Sequence, residues 1–365
     1  MALTKVDPSV VEKEIFNNRR LNINGAMDVA QRGTLTGLTN AYGGPDRHQI
    51  GSSNLGVYSL AQSTDSPDGF ANSLLLSCTT VDTSPSANDY AVLIYGFEGF
   101  DLQTLKFGTS DAESITVSFY VKTNKTGTYN LELYAPDNSS NPSANKQYTV
   151  SSANTWEKKT ITFPCGNSAA ISDDNTGGLY VQFWLAGGST FTSGSASDGN
   201  FHSTTANRAA GNVNFADSTS NTFQLTGFQV ETGDTATPFE HRSFGEELAL
   251  CQRYYYRLVS GTEGSNYRFA TGAAISTTQM DTHFQFQPQM NGTPSLDAMT
   301  AGNYRTNYDQ DATNIFIVHA TRTGTCVRTT HGSTQAQGFA LFLNPSDFSG
   351  HTNTDAAYIA FDAEL

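Results

Sequence analysis

The chain reads as an all-β protein: two antiparallel β-sandwich domains of jelly-roll type, joined by one short helix, with a short docking helix at the N-terminus. Three observations predict this. Apolar residues alternate with polar ones at a spacing of two through most of the sequence, the pattern of strands that bury one face. Clusters of Ser, Thr, Asn and Gly separate these runs and supply turns. One strongly helical stretch, 235–258, divides a chain whose 365 residues exceed what a single core readily fills.

Taken in order, Asp7 and Pro8 open a short helix ending near Phe16, with Asp7 as cap and Pro8 in the first turn. Val11, Ile15 and Phe16 give it an apolar edge too short to hold alone, so 1–24 is read as a docking segment. The first sandwich then spans 25–242. Ile115, Val117, Phe119 and Val121 alternate with Thr116, Ser118, Tyr120 and Lys122. Tyr129, Leu131 and Leu133 alternate with Asn130, Glu132 and Tyr134, and Leu179, Val181, Phe183 and Leu185 with Tyr180, Gln182 and Trp184. Phe223 and Leu225, then Phe228 and Val230, bracket Gly227, which reads as a bulge that shifts register by one. The Ser/Gly/Asn-rich stretch 187–211 reads as a long surface loop.

Pro238 stops the last strand, having no N–H for a ladder. Ser243 and Glu246 form a capping box for a helix over 243–258. Phe244, Leu248, Cys251, Tyr255 and Leu258 recur at heptad spacing, a seam that fits either packing between the chain's own domains or a three-fold axis of three such helices. Strand patterns resume in 267–270, 283–287, 314–320, 338–343 and 357–363, predicting a distal sandwich over 259–365.

Composition narrows the function. Charged residues make up 15% of the chain, against about 25% in an average globular protein, so the surface is built of neutral polar groups. The net charge is −14, from 34 acidic against 20 basic residues, which disfavours nucleic acid and anionic membrane as partners. The N-terminus lacks an apolar signal core and no run is long enough to span a bilayer, so neither secretion by signal peptide nor membrane insertion is expected. Cys78, Cys165, Cys251 and Cys326 are widely separated with no CxxC pair, which predicts free thiols.

No nucleophile elbow, HExxH, phosphate loop or dinucleotide fingerprint occurs, so no catalytic residue and no cofactor is expected. The seven histidines are scattered, and 172–177 begins like a calcium loop but lacks its later ligands, so no metal is expected. One constellation remains. Strand alternation turns Tyr120, Lys122, Glu132, Tyr134, Tyr180, Gln182 and Trp184 outward. Aromatic rings take the C–H faces of sugars while flanking polar groups take hydroxyls, so these residues form a candidate glycan platform. The competing reading is that a neighbouring subunit or a loop covers this face.

Three segments carry a resemblance. Asn22–Gly33 (NINGAMDVAQRG) resembles the opening motif of tail-fibre and virion structural proteins of tailed bacteriophages. Thr226–Arg242 (TGFQVETGDTATPFEHR) resembles the end of their carbohydrate-binding-module-like sandwich, and Glu246–Tyr255 (EELALCQRYY) the helix after it. The closing Phe361–Leu365 (FDAEL) also recurs there. The resemblance implies a trimeric virion component, docked on other virion proteins through its N-terminal segment and carrying a distal receptor-binding part, with no particular receptor; joined to the ring platform, it gives a homotrimer that attaches to a host-surface glycan. It would be made in the host cytoplasm and released by lysis. The missing long shaft points to a short tail fibre or tail-tip protein. The alternatives are a head-fibre or decoration protein and, from another class, an enzyme that cleaves surface polysaccharide.

Overall fold

The computed structural model describes residues 19–138, 140, 142–164, 166, 169–259, 270–298, 301, 304–306, 310–332, 340–345 and 358–365. Val11, Ile15 and Phe16, with the expected docking helix, lie outside these residues, as does Cys165. The chain divides into two compact units between Ser243 and Phe244.

The first unit contains β1 (Leu35–Leu38), β2 (Asn40–Tyr42), β3 (His48–Ser53), β4 (Val57–Ser63), β5 (Ser73–Thr80), β6 (Tyr90–Glu98), β7 (Ile115–Thr123), β8 (Gly127–Tyr134), β9 (Ser143–Val150), β10 (Glu157–Phe163), β11 (Gly177–Gly187) and β12 (Thr222–Thr232). They form two six-stranded sheets, β1-β4-β5-β12-β7-β10 (sheet one) and β2-β3-β6-β11-β8-β9 (sheet two), so this unit is an antiparallel sandwich as the alternation implies. The inward residues are those the alternation selected: Ile115, Val117, Phe119 and Val121 are buried, as are Leu131, Leu133, Leu179, Val181 and Phe183. Phe119 meets Phe183 and Tyr148 edge-on at 5.1 and 5.2 Å, interlocking the two sheets. The bulge at Gly227 is present: φ is +58° and the β12–β7 register shifts between Thr226 and Gln229.

The last residues of the segment read as docking, 19–24, belong to this sandwich. Leu21 N–H donates to Val230 O at 2.8 Å, and the buried Asn22 side chain grips both Phe228 O (2.8 Å) and Val230 N–H (2.9 Å). Arg242 donates to the carbonyls of Arg20 and Asn22, and Glu240 accepts from Arg20 N–H. A Cβ on Gly25 would lie 2.0 Å from Phe228 O, so only glycine allows this approach. The first two resemblance motifs are thus one structural unit that closes the sandwich, and 19–24 belongs to it. Burial and the nearby Arg242 lower the Arg20 pKa to about 10.

The second unit opens with a helix over Phe244–Gln252, which leaves Ser243 at its cap position. The helix is shorter than expected. Tyr255–Val259 is a strand, β13, because the aromatic run Tyr254–Tyr256 suits a pleated surface better than a helix. The heptad seam is therefore not one face: Cys251 and Tyr255 are buried in their own unit, Leu258 lies on β13, Leu248 is half-buried and Phe244 is exposed. β13 pairs with β21 (Tyr358–Asp362), which also pairs with β16 (Ser295–Ala298). Tyr255 Oη donates to Asp297 Oδ2 at 2.6 Å, and the closing motif supplies buried Phe361.

The remaining strands, β14 (Ala270–Ala274), β15 (Gln279–Gln285), β17 (Tyr304–Thr306), β18 (Gln310–Thr321), β19 (Gly324–His331) and β20 (Ala340–Pro345), close into a barrel in the order β14-β15-β19-β18-β17-β20. This corrects the expected distal sandwich: β14 pairs with β20, which removes the free edges a sandwich would leave. Cys78 and Cys326 are buried free thiols, and Cys251 is buried as well. Among the described residues no helix is long and apolar enough to cross a membrane.

Candidate functional site

The outward residues singled out by alternation do not form one patch. Tyr120 and Lys122 lie on β7 in sheet one, whereas Glu132, Tyr134, Tyr180, Gln182 and Trp184 lie on β8 and β11 in sheet two, so the sandwich core separates the two groups. Within sheet two the register does bring its five together: Tyr180 pairs with Tyr134, and Gln182 with Glu132.

Part of that face is covered, which corrects the expectation that Trp184, Glu132 and Gln182 are open to solvent. The stretch read as a surface loop carries a short helix, α1 (Ser189–Thr192), and a 3₁₀ turn over Thr205–Asn207, and folds back over the sheet. Trp184 is 1% and Glu132 0% exposed. Val92, Trp184 and Ala209 form a small second core, with Tyr90, Ile94 and Phe191 packed against it. Arg208 is the key residue. Its Nε and Nη2 donate to Glu132 Oε1 (2.6 Å) and Oε2 (3.1 Å), and Trp184 Nε1 donates to the same Oε2 at 2.8 Å. A buried carboxylate is tolerable only when so satisfied. Burial opposes the charge on Arg208, but attraction to Glu132 and its hydrogen bonds outweigh this and raise its pKa.

Next to this lock the face stays accessible. Tyr134 and Tyr180 are half-buried and their rings stack at 6.4 Å and 24°. The Arg208 guanidinium lies 4.9 Å from the Tyr134 ring centre, and its Nη2 reaches Gln182 Oε1 at 3.5 Å. Gly96, with no side chain, is the other cross-strand partner of Tyr180. Gly177 is required beneath it, since a Cβ there would lie 2.3 Å from Tyr180 Oη. Burial and the neighbouring Asp137 raise the Tyr180 pKa, so the phenol stays neutral and can donate. The result is a pair of half-exposed tyrosine rings beside a fixed guanidinium, with the Gln182 amide buried behind it.

On sheet one, Tyr120 packs against Phe70 at 5.7 Å, and Phe70 in turn meets Phe239 and His241. Lys122 Nζ pairs with Asp65 Oδ2 at 2.6 Å, and Trp156 Nε1 donates to Asp65 Oδ1 at 3.2 Å. The hydrogen bond from Lys122 is the main cause of a lowered Asp65 pKa.

Sequence reasoning missed Arg208 and Trp156. Arg208 had a signal: it is the only Lys or Arg between Lys159 and Arg242. Trp156 stands just before β10, outside any alternating run, and had none. Among the described residues no group of three or more His, Cys, Asp or Glu is placed to hold a metal. Asp174 in the calcium-like stretch instead caps its own turn, accepting from Thr176 N–H and Oγ1.

The first unit is thus a two-sheet β-sandwich with an aromatic and polar outer face. Among solved structures, the chain is similar to the enzymatically active domain of tailspike protein 4 of bacteriophage CBA120, at 8% identity and TM-score 0.30, covering 59% of this chain and 21% of that one. The chain therefore spans about a fifth of that tailspike domain's length. It is also similar to a family 4 carbohydrate-binding module (13% identity, TM-score 0.29, covering 58% and 99%). The third is the family 11 carbohydrate-binding module of a Clostridium thermocellum cellulosomal cellulase (12% identity, TM-score 0.29, covering 58% and 98%). No protein-family model and no curated protein sequence matches the chain.

Proposed function

We propose that the protein is a glycan-binding attachment component of a tailed-bacteriophage virion, a short tail fibre or tail-tip protein that recognises a host-surface saccharide without cleaving it. The observation that carries the binding reading is the stacked Tyr134–Tyr180 pair beside Arg208, which is held in place through Glu132. A half-exposed tyrosine ring can take the C–H face of a sugar, and the guanidinium beside it can offer hydrogen bonds to the hydroxyls. Binding rather than hydrolysis is supported by Glu132, whose two oxygens are already engaged by Arg208 and Trp184 and so are committed to structure rather than to acid–base work.

The virion role and the homotrimer rest on the resemblance of Asn22–Gly33 and Thr226–Tyr255 to phage structural proteins, not on the helix seam. Calorimetric titration against an array of surface oligosaccharides tests the binding. One or more should bind, and Tyr180→Ala should weaken that binding at least tenfold. Immunolabelling of intact particles tests the location: label at the tail supports the reading, and label on the capsid lattice overturns it.

A further inference from the structure

We propose that the outer face of sheet one holds a second saccharide site, separate from the Tyr134–Tyr180 face, which takes sugars bearing a carboxylate. It is built from Trp156, Tyr120, Lys122 and Lys158. Lys158 is the Cα partner of Tyr120 across β10 and β7, and its Nζ stands 5.9 Å from the Tyr120 ring centre. Lys122 Nζ stands 5.9 Å from the Trp156 ring centre. Rings and ammonium groups therefore alternate along one strip, with both rings half-buried and Lys158 exposed.

The strip is braced from behind. Asp65 fixes Lys122 and the Trp156 indole together, while its backbone carbonyl accepts from Ser73 Oγ at 2.7 Å and from Gln224 Nε2 at 3.4 Å. Tyr120 is seated over the bulge at Gly227, where a Cβ would come within 2.9 Å of its ring and 2.8 Å of Phe70. Rings held in this way can take a sugar face without first being ordered.

Charge sets the class of sugar. Asp65 is paired with Lys122, and the adjacent Lys159 with Glu157, whereas Lys158 makes no ion pair with any described residue. The strip thus keeps one uncompensated positive charge on a chain whose net charge is −14. A carboxylate on a ring stacked against Tyr120 lies within reach of that ammonium. A lone ammonium beside two rings does not suit a phosphate backbone, which needs many cations.

The two tryptophans make the test direct. Trp184 is buried behind the first site, so a ligand-induced change in indole emission that persists in Tyr180→Ala and is lost in Trp156→Phe reports Trp156. Titration of the full chain with hexagalacturonate should change that emission, and Trp156→Phe should abolish the change. Lys158→Met should weaken binding about tenfold and Lys158→Arg should restore it, as expected for loss of one charge-assisted contact. Cellohexaose should bind about tenfold more weakly than the acidic hexamer. Tyr180→Ala, disabled on the opposite face, should respond like the unaltered protein, so the two sites fail separately. No emission change with hexagalacturonate would overturn the proposal. So would an equal response to cellohexaose or to polyglutamate, or a Lys158→Met variant that binds as well as the parent.

Discussion

Two buried ionisable side chains carry most of what is testable at single positions. Glu132 is fully enclosed and depends on Arg208 and Trp184 for compensation, so Arg208→Ala strands a carboxylate in a dry site. The expected loss is about 3–5 kcal/mol in urea unfolding, and the double variant Glu132→Gln/Arg208→Met should be milder because no unpaired charge remains. A loss below about 1 kcal/mol for Arg208→Ala would show that the lock is ornamental to stability. His48 is the second case. Burial, partly offset by the hydrogen bond to the Asp46 carbonyl and reinforced by the Arg47 charge, holds its pKa down at about 4 against an ordinary 6.5. The unfolded chain therefore takes up a proton between those values that the folded chain refuses. Stability from the neutral ring is complete above pH 6.5 and drains as pH falls toward 4, by up to roughly 3 kcal/mol. Urea midpoints at pH 7 and 4.5 should fall further for the parent than for His48→Gln; parallel falls would remove His48 as the cause.

Among the strands, Gly227 shows how far local pattern reaches. Its left-handed backbone and the rings pressed against it predict that Gly227→Ala destabilises the first unit by about 1–3 kcal/mol, read from its thermal or urea transition. An unchanged midpoint would mean that the bulge relaxes freely. The bulge and the long strands around it were legible because a period of two fixes which side chains face the core. That same period is silent about what lies over the outer face. Trp184 and Glu132 were correctly turned away from the core, yet they are capped by a residue 76 positions away from Glu132 in sequence. The helix was misjudged in length for a related reason: Tyr255 and Leu258 fit a heptad by spacing, but pairing of β13 with β21 overrides that local fit.

For the molecule as a whole, the all-β class and the boundary near Ser243 could be read from composition and pattern, since one helix interrupts otherwise alternating sequence. The barrel could not. Its strands alternate as sandwich strands do, and closure depends on the pairing of Ala270 with Leu343, which no local signal encodes. The motif residues hold the fold together: Asn22–Gly33 and Thr226–Arg242 clasp each other, and Cys251, Tyr254 and Tyr255 are buried in the second unit. On the proposed reading, recognition falls to side chains on the outer faces of the first sandwich. The most direct measurement is calorimetric titration of the full chain and its Tyr180→Ala variant with surface oligosaccharides. The account predicts a bound saccharide whose affinity falls at least tenfold in the variant while the unfolding midpoint is kept. Absence of any bound saccharide, or equal affinity in the two proteins, would contradict it.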